Sequence, residues 1–183
     1  MATVILRPSS TTSQTGWAAD PIGTAADNNT VTGVAQNNVT CNWTAVLDDL
    51  DSGLSGATIN SFTISANGKA GRAGASTCAL SLVHSSDGAF AVENESWTGT
   101  QNTQTTSART TQQDGSSALT FAYINNCSAK IVPNTQGITL YELFVTVDYT
   151  PAGYGNTANG VASANIGKIN GVATANISKV NGI

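Results

Sequence analysis

Charge is scarce in this chain of 183 residues: only 10% of them are Asp, Glu, Lys or Arg, and there is one histidine. That scarcity excludes most catalytic arrangements. A nucleophile needs an adjacent base held by a third group, and the only imidazole, His84, is followed by Ser85-Ser86-Asp87-Gly88, which reads as a hairpin turn. Cysteine is equally sparse. Cys41, Cys78 and Cys127 cannot all pair within one chain, no CxxC spacing exists, and His84 is remote in sequence from Cys41 and Cys127. No metal and no cofactor is therefore expected. Buried free thiols in strands are expected, with one disulfide as the alternative. No run of eighteen apolar residues exists, so no membrane insertion is expected. The start, Met1-Ala2-Thr3-Val4-Ile5-Leu6-Arg7-Pro8, lacks a basic segment leading into a long apolar one. No Sec-type leader is expected, and release by lysis or another non-Sec route would follow.

What fills the chain instead is Ser, Thr, Asn and Gly around a 40% hydrophobic complement. That is the composition of an exposed all-β protein whose solvent face carries hydroxyls and amides. Residues 1–158 hold five Lys/Arg against all eleven Asp/Glu, a net of −6, and the rest carries +2 from Lys168 and Lys179. An acidic body argues against nucleic acid, which requires a concentrated basic surface.

Short alternating segments recur between Gly, Asn, Asp and Ser. Thr3–Leu6 reads as a first strand stopped at Arg7-Pro8, and 39–47 alternates with Val39, Cys41, Trp43 and Ala45 on one face. In 57–66, Ile59 and then Phe62, Ile64 and Ala66 face inward, so the phase changes near Asn60, where a strand start or bulge is expected. Cys78–His84, Ala118–Ile124, Ala129–Val132 and Ile138–Thr150 complete the set. In the last, Tyr141, Leu143, Val145, Val147 and Tyr149 form an apolar face opposite Leu140, Glu142, Phe144, Thr146 and Asp148. Ser9 to Asn37 and Thr98 to Ser117 read as long loops; Asp48–Leu54 and Leu119–Asn126 could each hold a helical turn. The expected fold is an antiparallel β-sandwich, a jelly roll, over 1–152, followed by a linker at 153–158 and a short repeat tail at 159–183.

Few residues invite a chemical role. Asp48-Asp49-Leu50-Asp51 lacks the spacing of an EF-hand loop and reads as a solvated turn rather than a calcium site. Glu93 and Glu95 are a pair of carboxylates, but nothing beside them signals a cleft for glycoside hydrolysis. No enzyme activity is expected. Trp43 lies on a core face. Trp17 and Trp97, among Gly, Thr and Ser, are candidates for stacking on a glycan, against an alternative role as loop anchors.

The tail repeats itself at a shift of eleven: Asn159 to Ile169 lies over Asn170 to Val180, and Asn181-Gly182-Ile183 begins a third unit. Asn-Gly at each boundary is a tight-turn signal, so each unit is expected to be an extended segment closed by a turn. Two units cannot bury their own apolar residues. Val161, Ile166, Ile169, Val172, Ile177, Val180 and Ile183 are therefore expected to meet another chain and mediate assembly or anchoring.

Val4-Ile5-Leu6-Arg7-Pro8 leading to Gly16-Trp17, then Leu119 to Asn125, and Leu140 to Tyr149 before a proline, together resemble a β-sandwich of tailed-bacteriophage structural proteins. Ile166-Gly167-Lys168-Ile169-Asn170-Gly171-Val172 is similar to the tail repeats of phage and environmental virion proteins. The resemblance implies a non-enzymatic component of the virion surface, a head decoration protein, head fibre or tail fibre, forming homo-oligomers, trimers among them, with other virion proteins as partners. Two alternatives stand beside it: a carbohydrate-binding module that recognises a host surface glycan, and a subunit of a self-assembling extracellular filament.

Overall fold

The computed structural model describes residues 1–37, 40–71, 74–135 and 137–152, together with the backbone of 168–169 and 172–173. Along the chain come β1 (Ala2–Leu6), β2 (Pro8–Thr15), α1 (Ile22–Ala25), β3 (Val34–Ala35) and β4 (Asn42–Leu47). After a 3₁₀ turn at Ser52–Leu54 follow β5 (Thr58–Ala70), β6 (Ser76–His84), β7 (Gly88–Trp97), β8 (Asn102–Thr105) and α2 (Phe121–Asn125). The body closes with β9 (Cys127–Pro133) and β10 (Ile138–Thr150), and β11 (Lys168–Ile169) and β12 (Val172–Ala173) lie in the repeats.

All pairings are antiparallel. One sheet runs β1-β10-β5-β8, with β3 also on β10, and the other runs β2-β4-β9-β6-β7. With β2 and β3 set aside, the eight remaining body strands, numbered in chain order, read 1-8-3-6 and 2-7-4-5. That is the order of a jelly roll. Between the sheets, Trp43, Cys78, Leu80, Leu82, Ala129 and Ile131 from one face meet Phe62, Ile64, Leu143, Val145 and Val147 from the other, all buried.

The chain changes sheet at Arg7. Leu6 pairs with Val145 in the first sheet, whereas Pro8 pairs with Leu47 in the second. Proline is tolerated there because it opens an edge strand. The Arg7 carbonyl accepts from Asp48 N at 2.7 Å, and its guanidinium binds the buried carboxylate of Glu142 and Asn28 Oδ1 (2.7 Å) while lying 5.5 Å from the Phe144 ring centroid.

Two bulges set the phase of the central strands. Asp148 opposes Ser61 but Tyr149 opposes Ile59, so Asn60 is the extra residue that the sequence places at a change of phase. On β10 the pairing skips Tyr141, between Leu140 opposite Gly68 and Glu142 opposite Asn67. Leu143, Val145 and Val147 face the core as expected, but before the bulge the core side belongs to Ile138 and Leu140. Tyr141 is instead buried outside the core cluster, its ring 5.5 Å from Lys69 Nζ.

Several expectations are corrected. The supposed loop 9–37 contains β2, whose Ser/Thr-rich sequence has no apolar alternation because it is an edge strand largely in water. The supposed loop 98–117 contains β8, another polar edge strand. Ala118–Ile124 is not a strand. Its end forms α2, capped by Thr120 Oγ1, which accepts from Tyr123 N at 3.1 Å, and Leu119, Tyr123 and Ile124 are buried at helical spacing. The helical turns expected near 48–54 and 119–126 are both present.

The register of β10 is testable. Val145 is fully buried, whereas Thr146 lies on the outer face between Ile5 and Thr63. Burying an unpartnered charge costs several kcal/mol, about the whole margin of a small domain. Val145→Asp is expected to prevent folding and Thr146→Asp to be tolerated; thermal unfolding of the two variants is the check, and equal tolerance would refute the register.

Candidate functional site

The tryptophans come first. Trp17 and Trp97 are both buried, at 6% and 1% exposure, and their indole N–H groups donate to the carbonyls of Asn42 and Asn102, each at 3.0 Å. A Cβ on Gly68 would stand 3.2 Å from Trp97 Nε1, so the missing side chain makes room for the indole. Neither ring offers a face to a sugar, which corrects the glycan-stacking expectation: both pack in the hydrophobic core. Trp43 is a core residue whose Nε1 donates to Thr11 Oγ1 at 2.9 Å.

The 48–51 segment is a turn pinned from beneath. Leu50 is buried and its N–H donates to Asn125 Oδ1 at 2.9 Å, while Asp51 Oδ1 accepts from Gly53 N at 2.7 Å and so caps the 3₁₀ turn. Glu93 and Glu95 lie on β7, opposite Leu80 and Cys78, on one side of an edge strand. Glu93 accepts from Ser107 N at 2.9 Å; burial, and secondarily the charge of Glu93, raises the pKa of Glu95. The three cysteines are free and buried, as expected. Burial pushes Cys41 and Cys127 up to about 12 and raises Cys78 as well, so the thiols stay protonated and inert.

Of the assembly residues, Val161, Ile166, Ile177, Val180 and Ile183 lie outside the described residues. The backbones of Ile169 and Val172 oppose each other in the β11–β12 pair, leaving two residues between them.

Polar groups converge where the β6–β7 hairpin tip meets the 111–118 turn. His84 ends β6 and stacks on Tyr123, centroids 4.1 Å apart and planes 6° from parallel. Its Nδ1 lies 3.1 Å from Ser86 Oγ and 3.3 Å from Asp87 Oδ2, while Ser86 Oγ donates to Asp87 Oδ1 at 2.6 Å. A catalytic triad uses the two imidazole nitrogens separately, one for the acid and one for the hydroxyl. Here one nitrogen meets both, and the serine proton already goes to the carboxylate. The trio is a hairpin tip.

Facing it, Gln112 N donates to the Ser117 carbonyl at 2.9 Å, and Gly115 turns the chain at φ +73°. Asp114 accepts from Ser116 N (2.9 Å), Ser117 N (2.8 Å) and the Ser117 hydroxyl, and these bonds hold its carboxyl down to about 2. Gln113 N donates to the Tyr123 oxygen at 3.2 Å, and the Tyr123 phenol is held protonated mainly by burial. Gln113 Oε1 is buried and has no donor. Asp87, Gln113 and Asp114 line a cavity of about 480 Å³. Sequence reasoning took Asp87 for a turn residue and passed over Gln113 and Asp114, because they meet only through the folded hairpins. Among the described residues no three His, Cys, Asp or Glu side chains are grouped to hold a metal ion.

No family model matches this chain, and no curated protein matches it. Among solved structures it is similar to the C-terminal CBM6 of LamC, a marine laminarinase from Zobellia galactanivorans (TM-score 0.45, 11% identity, 80% of this chain and 98% of that one). It is similar also to CBM35 from Paenibacillus barcinonensis (TM-score 0.45, 11% identity, 81% and 98%). A third is the carbohydrate-binding module CBM6cm-2 from Cellvibrio mixtus lichenase 5A in complex with cellotriose (TM-score 0.40, 14% identity, 79% and 95%). Likeness of this degree assigns no ligand to the present chain.

The carboxylate pair on β7 gives a pH signature. Because the folded-state pKa of Glu95 is raised, its favourable contribution is present below the ordinary glutamate value and is lost as pH rises through the raised one. Glu95→Gln is therefore expected to melt higher than the parent at neutral pH, with the advantage shrinking as pH falls through the carboxylate range. A gap that does not change with pH would refute the coupling.

Proposed function

We propose that this protein is a non-catalytic binding module that takes a neutral polyhydroxylated ligand, a carbohydrate, in the cavity between Asp87, Gln113 and Asp114. The observation that carries this reading is the convergence of Asp87, Gln113 and Asp114 on one cavity, with Gln113 Oε1, an acceptor without a donor, buried behind its lining. Such an atom costs stability until a donor reaches it. The other lining groups are carboxylates, so an anion is repelled, and what fits is a ligand presenting several hydroxyl donors at once. The cavity falls within the range of small-molecule sites. The ligand would be an oligosaccharide on a host surface, met outside the cell.

A glycan array followed by calorimetry on the hits tests this. Gln113→Met keeps the backbone N–H that meets Tyr123 but removes the acceptor. It should weaken binding at least tenfold, about 1.4 kcal/mol, without lowering the unfolding temperature, and Asp87→Asn should weaken it too. A protein that retains no glycan, or a Gln113→Met variant that binds equally well, overturns the reading.

A second reading concerns what carries the module. The antiparallel pairing of β11 with β12 supports an assembly segment, since a two-stranded ribbon of this length is not stable alone and must lean on another surface. In this reading the protein is a virion surface component, a head decoration or fibre subunit whose sandwich faces outward and binds the receptor glycan; an extracellular filament would use the same tail. Truncation after residue 158 is expected to leave a folded sandwich of lower oligomeric mass by light scattering. An unchanged mass removes the tail from assembly.

A further inference from the structure

The strand β5 has one covered edge and one partly open edge. Along its whole length, from Thr58 to Ala70, it pairs with β10. On the opposite edge β8 covers Ser65 to Gly68, and Thr106 and Arg109 extend the cover to Ile64 and Phe62. From Ser61 back to Thr58 no described strand pairs with that edge. There the chain of Leu119–Ala122 stands off, and between the two runs a cavity of about 470 Å³ lined by Ala57, Thr58, Ile59, Leu119, Phe121 and Ala122 among others. Ile59 and Leu119 are buried and Phe121 is half-buried, so the floor is apolar, while Thr58 and Ala122 are exposed at its mouth.

Three facts bear on what fills it. Asp48, Asp49 and Asp51 lie just upstream of the lining residues, in a turn tied to α2 by Leu50 N donating to Asn125 Oδ1, and they stand against Arg109, whose backbone pairs with Phe62 on the same edge of β5. The chain leaves the body beside it: a Cβ at Gly56 would sit 3.2 Å from that of Ala152. What leaves is a 31-residue segment, 153–183, with two lysines and no acid. Read at period two, Ala162, Ala164 and Ile166 share one side of the first unit, and Ala173, Ala175 and Ile177 the same side of the second. Small, small, large is a side that a narrow groove against a strand edge can take.

We infer that the groove between β5 and α2 receives a repeat unit from the tail of a second copy of this chain, added as a strand to the open edge of β5. The backbone of Thr58 to Ser61 supplies the pairing, Ile59, Leu119 and Phe121 the apolar contact, and Asp48 to Asp51 the counter-charge for Lys168 or Lys179. Each chain carries two units and one such groove, so a tail has a unit to give beyond any it could seat itself. The contact is head-to-tail, and it closes into a ring when its rotation permits. This rests on the tail being the assembly segment proposed above.

The full-length protein provides the test. Ala122→Arg puts bulk and a positive charge in the groove mouth at an exposed position, and is expected to lower the oligomeric mass by light scattering without lowering the unfolding temperature. Carbodiimide coupling of a mixture of ¹⁵N-labelled and unlabelled protein should then join Lys168 or Lys179 to Asp48, Asp49 or Asp51 across isotopes, less so at high salt. Links confined to one isotope would overturn the inference in favour of a chain seating its own tail. If truncation after residue 158 dissociates the protein while Ala122→Arg leaves it assembled, the groove is the wrong site and the tail's role stands. If neither variant dissociates, both proposals fall.

Discussion

The structure turns on one ion pair at one corner. Arg7 is the single residue between a strand of the first sheet and a strand of the second, and its guanidinium ends on Glu142, the only buried acid among the described residues. A buried pair of this kind adds little net stability, yet losing one partner strands a charge and costs roughly 3–5 kcal/mol. The pair thus specifies rather than strengthens. It ties the corner to the centre of β10, holds Asn28 and with it the segment that carries α1, and fixes which side of Glu142 faces outward just past the bulge at Tyr141. In a chain with so few charges, such a constraint has few competitors.

The legible part of the fold was the part that is buried on one side. The alternations around Trp43, Phe62, Leu80 and Val145 each identified a strand and its inner face, and the phase change at Asn60 identified a bulge, because the core selects apolar side chains at period two. The edge strands β2 and β8 were read as loops. They are mostly solvated on both faces, so their Ser, Thr, Asn and Gln carry no burial signal and resemble loop sequence. Ala118 to Ile124 misled for a related reason: six hydrophobic residues in seven fit a strand or a helix, and the Thr120 cap decided between them.

Sites were less legible than strands. Aromatic residues in polar surroundings suggested sugar platforms at Trp17 and Trp97, but an indole needs only one carbonyl acceptor to be buried, and both found one. Gln113 lacked any local cue, since what sets it apart is an absent partner, which is a property of the folded environment and not of the residue. Asp114, by contrast, sits in Gln-Asp-Gly-Ser-Ser, where a short acidic side chain capturing the next amides is ordinary turn chemistry.

The pairing of β1 with β10 has a consequence for how the protein is made. Ala2 opposes Tyr149, so β1 waits for β10, nearly the whole body later in the chain, before it finds its partner. Until then the middle of the first sheet is missing, and Ile59, Phe62 and Ile64 on β5 have no neighbour on that side. Closure is a late event dominated by distant contacts, which places folding in the slow, millisecond-to-second regime. β8 precedes β10 in the chain and covers the far edge of β5 from Ser65 to Gly68, so what stays open until β10 arrives is the near edge of β5 and the apolar side chains along it.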